Sequence, residues 1–149
     1  MGGEPQGPAR RSNPVGVEVV IVDTTVWVDY LNGVITPHTD WLDREVERQR
    51  LGLTDLILCE VLQGIREERR FRQVQARLMN FEVLDTGGRT IALATARNYR
   101  ALRVQGRTIR TTIDGWIATF CMLSGHSLLH NDRDFDRFEE VLGLSVVHP

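Results

Sequence analysis

Four acids in this chain stand where acids are uncommon. Asp23 follows the run Val19-Val20-Ile21-Val22 directly, and Glu60 lies inside Leu58-Cys59-Glu60-Val61-Leu62. Asp114 sits in Thr112-Ile113-Asp114-Gly115-Trp116-Ile117, and Asp132 comes just after Leu128-Leu129-His130-Asn131. A carboxylate beside a buried strand or on a buried helix face is costly unless it is paired, protonated or bound to a cation. Two unit charges about 4 Å apart repel by roughly 4 kcal/mol at an effective dielectric near 20, and a cluster of acids contains several such pairs. Carboxylate oxygens without His or Cys beside them suit Mg²⁺ or Mn²⁺. Taken singly, Asp23 and Asp114 also read as helix caps, and Glu60 and Asp132 as ion-pair partners. Taken as four, they point to a cation site.

The elements that would gather them follow from the apolar pattern. Four consecutive β-branched or aliphatic residues over 19–22 read as a strand buried on both faces, as in a parallel sheet. Further strands are expected at 51–54, 81–84, 127–130 and 144–147. Between them lie helices: one after Thr24 or Thr25, one opened by Pro37, one capped by Asp55, one over about 89–104, one beginning at Thr111 or Thr112, and a short one over 135–142. The stripe Ile113, Trp116, Ile117, Phe120 and Cys121 predicts the core face of the penultimate helix. Strands alternating with helices predict an α/β fold: a three-layer α/β/α domain with a mostly parallel five-stranded sheet. In such sheets, ligands sit beyond the carboxyl ends of the strands, the edge that all four acids would share. Asp134, just ahead of Phe135, reads as the cap of the last helix and as a reserve ligand. His130 closes a strand and reads as structural rather than as a general acid or base.

Composition bounds the rest. The chain has 149 residues, 42% hydrophobic and 26% charged, with a formal net charge of -2. That describes one globular domain. Residues 1–18, rich in Gly, Pro and Arg, read as an arm or extension ahead of a domain over 19–149. No apolar run approaches the roughly 20 residues that span a bilayer and no leader opens the chain, so the expected location is the cytoplasm. Met1-Gly2 lacks the Ser or Thr that myristoylation wants at position 6. Cys59 and Cys121 show no metal-binding spacing and read as small buried thiols. All 18 basic residues are arginine, which excludes Schiff-base lysines, Walker A sites and lysine-dependent phospho-acceptor domains. Arg97, Arg100, Arg103, Arg107 and Arg110 fall in a stretch, 86–113, that holds no acid. Such a band suits a nucleic-acid backbone, with a solvated helix face as the competing account. The run 66–77 mixes Arg with Glu67 and Glu68 and reads as an ordinary exposed helix.

The ordered set of hydrophobic strand plus Asp23-Thr24-Thr25, Glu60 in Leu-Cys-Glu-Val-Leu-Gln-Gly, Thr-Ile-Asp114 and Leu-Leu-His-Asn-Asp132-Arg-Asp134-Phe135 resembles PIN-domain ribonucleases. Within them it is most similar to the VapC toxins of bacterial toxin-antitoxin modules. The resemblance spans about 19–148. It implies that Asp23, Glu60, Asp114 and Asp132 hold Mg²⁺ or Mn²⁺ for hydrolysis of structured RNA, tRNA first among the candidates, with Thr24, Thr25 or Thr112 bonded to the acids. It further implies a VapB-type antitoxin and a homodimer. The side chains of Val26, Trp27, Tyr30, Leu31, Trp41 and Leu42 would serve either those interfaces or the core. Many relatives carry Thr at the position of His130, so the chain departs from the commonest pattern at the fourth acid, where Asp132 is the choice over Asp134. A member of another class, an idle PIN-like binding module, would lack one of the acids. A phosphatase of the Asp-x-Asp type is disfavoured because the residue two after Asp23 is Thr25.

Overall fold

The computed structural model describes residues 18–149, so the arm expected at 1–18 lies, apart from Glu18, outside the described residues. The chain runs β1 (Val20–Val22), α1 (Thr24–Leu31), α2 (Pro37–Glu45), β2 (Leu51–Thr54), α3 (Asp55–Gln63), α4 (Glu68–Leu78), β3 (Glu82–Leu84), α5 (Arg89–Val104), α6 (Thr112–Ser124), β4 (Ser127–Leu129), a 3₁₀ turn (Arg133–Phe135) and α7 (Asp136–Leu142). The sheet has the order β3-β2-β1-β4 and every pairing is parallel. β1 lies at its centre, in register Val20 to Leu51 on one side and Ile21 to Leu128 on the other. Its residues are buried on both faces, as the unbroken apolar run requires.

The sheet has four strands rather than the expected five. The segment 144–147 is reduced to one parallel bridge, Leu128 to Val146, with the Leu128 N–H donating to Ser145 O at 2.9 Å and the Val147 N–H to Leu128 O at 3.0 Å. Beyond Val147 the chain brings His148 against Glu139 at 2.8 Å, which leaves no ladder to extend. Strand β1 starts one residue later than expected because the Val19 N–H donates to the His126 ring at 3.2 Å instead of to a strand.

Capping also differs in detail from the sequence reading. Thr54, not Asp55, caps α3, accepting from the Ile57 N–H at 3.1 Å. Asp55 instead binds across the fold, accepting from the Thr86 hydroxyl at 2.7 Å and so tying the end of β3 to α3. On α6 the stripe is broader than five residues. Ile117, Phe120 and Cys121 are buried as expected, but so are Gly115, Ala118 and Thr119, while Ile113 is 38% exposed. The reason is that α6 is covered twice, by the sheet and by α5, whose Asn98 donates to Thr119 Oγ1 at 2.9 Å. Val26, Trp27 and Leu42 belong to the core, with Trp27 edge-on to Phe81 at 4.8 Å. Tyr30, Leu31 and Trp41 are half-buried against it. Cys121 is buried but Cys59 is exposed, because α3 turns that face outward.

Gly52 in β2 has no room for a side chain: a Cβ there would lie 2.7 Å from the Glu82 carbonyl oxygen and 3.2 Å from Val19 Cγ1. Gly52→Ala is expected to destabilise the fold by about 1–3 kcal/mol, read as a lower urea midpoint with unchanged slope.

Candidate metal centre

The parallel sheet delivers the acids to one edge. Asp23 is the first residue after β1, held in extended backbone (φ -73°, ψ 161°) with its N–H donating to Leu129 O at 2.9 Å. Although Asp23 occupies the N-cap position of α1, its side chain makes no cap hydrogen bond, so capping does not explain it. Its first helical neighbour, Thr24, donates to Glu60 Oε1 at 3.0 Å and so links α1 to α3. Thr25 donates to Asp23 Oδ2 at 3.4 Å. Asp114 lies in the first turn of α6, where Thr111 is the cap and accepts the Asp114 N–H at 3.2 Å. Capping therefore fails for Asp114 as well. Thr112, expected to support an acid, makes no such bond among the described residues; its neighbour Thr111 takes the role.

After β4, the 3₁₀ turn brings two acids in. Asp132 Oδ1 accepts the Asp134 N–H at 2.9 Å and caps that turn. Asp134 does not cap α7, whose N-cap position is Phe135 with no side-chain bond. Instead, single carboxylate oxygens of Asp114, Asp132 and Asp134 lie within 4.8 Å of one another. The helix-cap expectation for Asp134 is thus overturned, since the tight turn projects both 132 and 134 toward α6. The Asp-Arg-Asp spacing was the signal that could have found it.

Electrostatics connect this trio to the other two acids. Asp23 is 4% exposed. Burial first, then the charges of Asp114, Glu60 and Asp132, push its carboxyl up from 3.8 to about 7 against the lowering effect of the Thr24 backbone hydrogen bond. Asp114 is raised to about 6, again chiefly by burial, with Asp132, Glu60 and Asp134 adding repulsion and Thr111 opposing it. The Cys121 thiol, buried and facing the same negative charge at Asp23, is pushed up to about 12 and stays protonated and inert. Three carboxylates, Asp114, Asp132 and Asp134, are thus close neighbours, and the charges of Asp114, Glu60 and Asp132 bear on the buried Asp23 carboxyl, which stands outside that trio. A hard divalent cation fits such a donor set.

His130 borders this edge without joining it. It is buried, its Nδ1 accepts the Asp132 N–H at 3.2 Å, and burial lowers its pKa. That fits the structural reading of this residue.

The arginines divide into two groups. Arg97, Arg100 and Arg103 are exposed along α5 and line a shallow hollow of about 410 Å³, with the Arg103 guanidinium stacked 4.9 Å over Tyr99. A second cleft of about 450 Å³ carries Arg100 and Arg103 on to Thr112 and Trp116, beside Asp114. Arg107 instead pairs with Glu140 at 3.4 Å, and Arg110 reaches Asp134 at 3.9 Å. Those two do not extend the exposed band; Arg110 lies on the rim of the acid cluster.

Residues 20–141 match the PIN domain family, and the chain belongs to it. The family resemblance carried by the ordered acids is borne out. Among curated proteins, the chain is 25% identical over 130 residues to VapC ribonuclease Mb1587 of Mycobacterium bovis and equally to ribonuclease VapC11 of Mycobacterium tuberculosis, covering 86% of this chain and 97% of each relative. Among solved structures, the fold is similar to VapBC2 from Rickettsia felis bound to a DNA fragment from its promoter (TM-score 0.71, 15% identity, covering 87% of this chain and 97% of that one). It is also similar to FitAcB from Neisseria gonorrhoeae (TM-score 0.69, 18% identity, covering 87% and 96%).

Proposed function

We propose that this chain is a Mg²⁺- or Mn²⁺-dependent endoribonuclease acting as the toxin of a type II toxin-antitoxin pair, with residues 19–149 as its catalytic domain. The observation that carries this reading is Asp23, a carboxyl buried in the strand-end crevice of a parallel sheet with Glu60, Asp114 and Asp132 turned against it. Asp23, Glu60, Asp114 and Asp132 would hold the ion, with Asp134 beside them. The chemistry a bound divalent ion supplies is a water acidified for attack on a phosphodiester and charge balance at the departing oxygen. The protein's own residues do the positioning. Thr24 fixes the Glu60 carboxylate, Thr25 the Asp23 carboxylate, and Thr111 the start of α6, so three ligands are oriented before substrate arrives. Core residues below exclude water from one side of Asp23.

Structured RNA is the proposed substrate, tRNA the leading candidate, with its backbone running from the acid cluster along Arg97, Arg100 and Arg103. Removing an arginine that neutralises a phosphate weakens binding and its salt dependence together. Arg100→Ala with Arg103→Ala is expected to weaken RNA binding at low salt by about tenfold or more and to flatten the slope of log affinity against log salt. Unchanged affinity across salt concentrations would remove the band from the account. The curated relatives named VapC and the neighbours solved as VapBC complexes support a VapB-type antitoxin as partner; a homodimer is proposed beside it. No helix among the described residues is long and apolar enough to cross a membrane, which agrees with a proposed cytoplasmic site of action.

The test is incubation of the purified chain, freed of any partner, with total bacterial RNA and Mg²⁺ or Mn²⁺. Discrete fragments that vanish in EDTA are expected. Intact RNA in the presence of a bound metal would overturn the ribonuclease reading in favour of a binding module.

A further inference from the structure

Three residues outside the acid cluster join the two helices that carry Glu60 and Asp114. Trp116 is half-buried on α6, two residues past Asp114, and its indole N–H donates to the Thr86 carbonyl oxygen at 3.1 Å. Thr86 is in turn held by Asp55, the first residue of α3. Its hydroxyl donates to Asp55 Oδ1 at 2.7 Å, and its N–H donates to both Asp55 oxygens at 3.3 Å. Asp55 Oδ1 also accepts the Leu56 N–H at 2.9 Å, which fixes the carboxylate to the start of the helix. A path of hydrogen bonds thus runs from α3 through Thr86 to α6.

The members of this path are not accounted for by capping or by the core. Thr54 already caps α3, so Asp55 is not needed there. Trp116 falls in the apolar stripe of α6, where a phenylalanine would pack as well, yet its N–H is used on a distant carbonyl. Thr86 lies in the turn between β3 and α5, and Gly87 and Gly88 follow it, the second at φ 112°. Such a turn keeps its place only where something fixes it, and Thr86 is 2% exposed. The chain entering α6 is exposed over 103–108 and again over 111–113, with Ile109 buried between, so it holds the helix end weakly. A buried polar network whose members are satisfied is rigid, and this one supplies the hold that the loop does not.

We infer that Trp116 is a positioning residue for the metal centre: through Thr86 and Asp55 it sets the start of α6, and with it Asp114, against the helix that carries Glu60. The inference rests on the metal-dependent reading of the site given above. A divalent ion needs ligands held to within about 0.5 Å, and two of them come from helices that meet through Thr86. Loosening the path therefore weakens the ion's hold while leaving every acid in the chain.

The test reads the Mn²⁺ affinity of the full chain at pH 8, by electron paramagnetic resonance of the free ion, before any RNA is added. In Trp116→Phe, which keeps an aromatic ring and removes the N–H, the dissociation constant is expected to rise about tenfold. Thr86→Val and Asp55→Ala, which break the next bond of the path, are expected to weaken binding to a similar degree. Thr86→Ser and Asp55→Asn keep the donor and the acceptor and should bind as wild type does. Trp116→Phe combined with Thr86→Val should weaken binding little more than either alone, because both break one path. In cleavage, the loss in Trp116→Phe should be recovered by raising Mn²⁺, with KM for RNA unchanged. Lower urea midpoints at unchanged Mn²⁺ affinity would overturn the inference and leave the path a brace of the fold. A raised KM for RNA at unchanged Mn²⁺ affinity would overturn it as well, placing Trp116 against the substrate in the cleft it lines with Arg100 and Arg103. Weakened Mn²⁺ binding in the variants of a protein that cleaves no RNA would uphold the path and overturn the ribonuclease reading; no Mn²⁺ binding by wild type would overturn both.

Discussion

Asp23→Asn is expected to make the metal-free protein more stable than wild type at pH 8, by on the order of 4 kcal/mol, while abolishing RNA cleavage. The carboxyl at 23 rises from 3.8 to about 7 on folding. Between those values the folded state holds a proton that the unfolded chain has released, so the stability tied to this group is complete below about 3.8 and is lost as pH climbs through 7. Above pH 7 the folded protein must bury a charged carboxylate, and each pH unit of displacement corresponds to about 1.4 kcal/mol. Asparagine has nearly the same shape, can still accept from the Thr25 hydroxyl, and carries no charge to bury. Asp114, raised to about 6, acts with the same sign over a narrower window. Wild type in EDTA should therefore lose urea resistance between pH 5 and 8 and recover it when Mn²⁺ is added at pH 8, and both responses should be smaller in Asp23→Asn, where the contribution of Asp114 remains. A variant less stable than wild type at pH 8 would mean that the Asp23 carboxylate is stabilising by itself and requires no cation.

Asp114→Asn is expected to lower metal-dependent cleavage by well over a hundredfold, beyond the roughly 10- to 100-fold typical of losing a group that only supports a metal ligand. The fold should be unaffected, because the structural work at this turn is done by Thr111, which caps α6 through the Asp114 backbone N–H rather than its carboxylate. Circular dichroism and the urea midpoint at pH 5 would register the intact fold, and single-turnover cleavage of an identified RNA the loss. Full activity in Asp114→Asn would break the metal-centre assignment at the residue where three neighbouring acids, Asp132, Glu60 and Asp134, converge.

Much of this is legible in the chain because burial constrains sequence so strongly. Val19 to Val22 can only be a strand buried on both faces, and an acid placed directly after it is conspicuous for that reason. Glu60 and Asp114 stand out in the same way, as charges within apolar helices. What stays hidden depends on contacts a linear pattern does not encode. The fifth strand is reduced to a single bridge, and beyond Val147 the chain sets His148 against Glu139, a contact that the apolar pattern does not announce. Cys59 reads as buried because its neighbours are apolar, yet it stands two positions from both Ile57 and Val61, a rotation of about 200° that puts it on the opposite side of the helix while they stay inside. Asp134 reads as a cap because the 3₁₀ turn, which places it near Asp132 and Asp114, has too few residues to leave a periodic signal. The arginine band holds in part: Arg97, Arg100 and Arg103 share one exposed face, whereas Arg107 and Arg110 find acids that come from α7 and the turn before it.

The most direct measurement is the chemistry of the cut ends when RNA is cleaved with Mg²⁺ in H₂¹⁸O. If the acid cluster holds the ion that activates water, one ¹⁸O enters the new terminal phosphate and no 2′,3′-cyclic phosphate forms. Cyclic phosphate ends without ¹⁸O, insensitive to EDTA, would mean that the neighbouring 2′-hydroxyl is the nucleophile and that the carboxylates of Asp23, Glu60, Asp114 and Asp132 do not form a metal centre for hydrolysis.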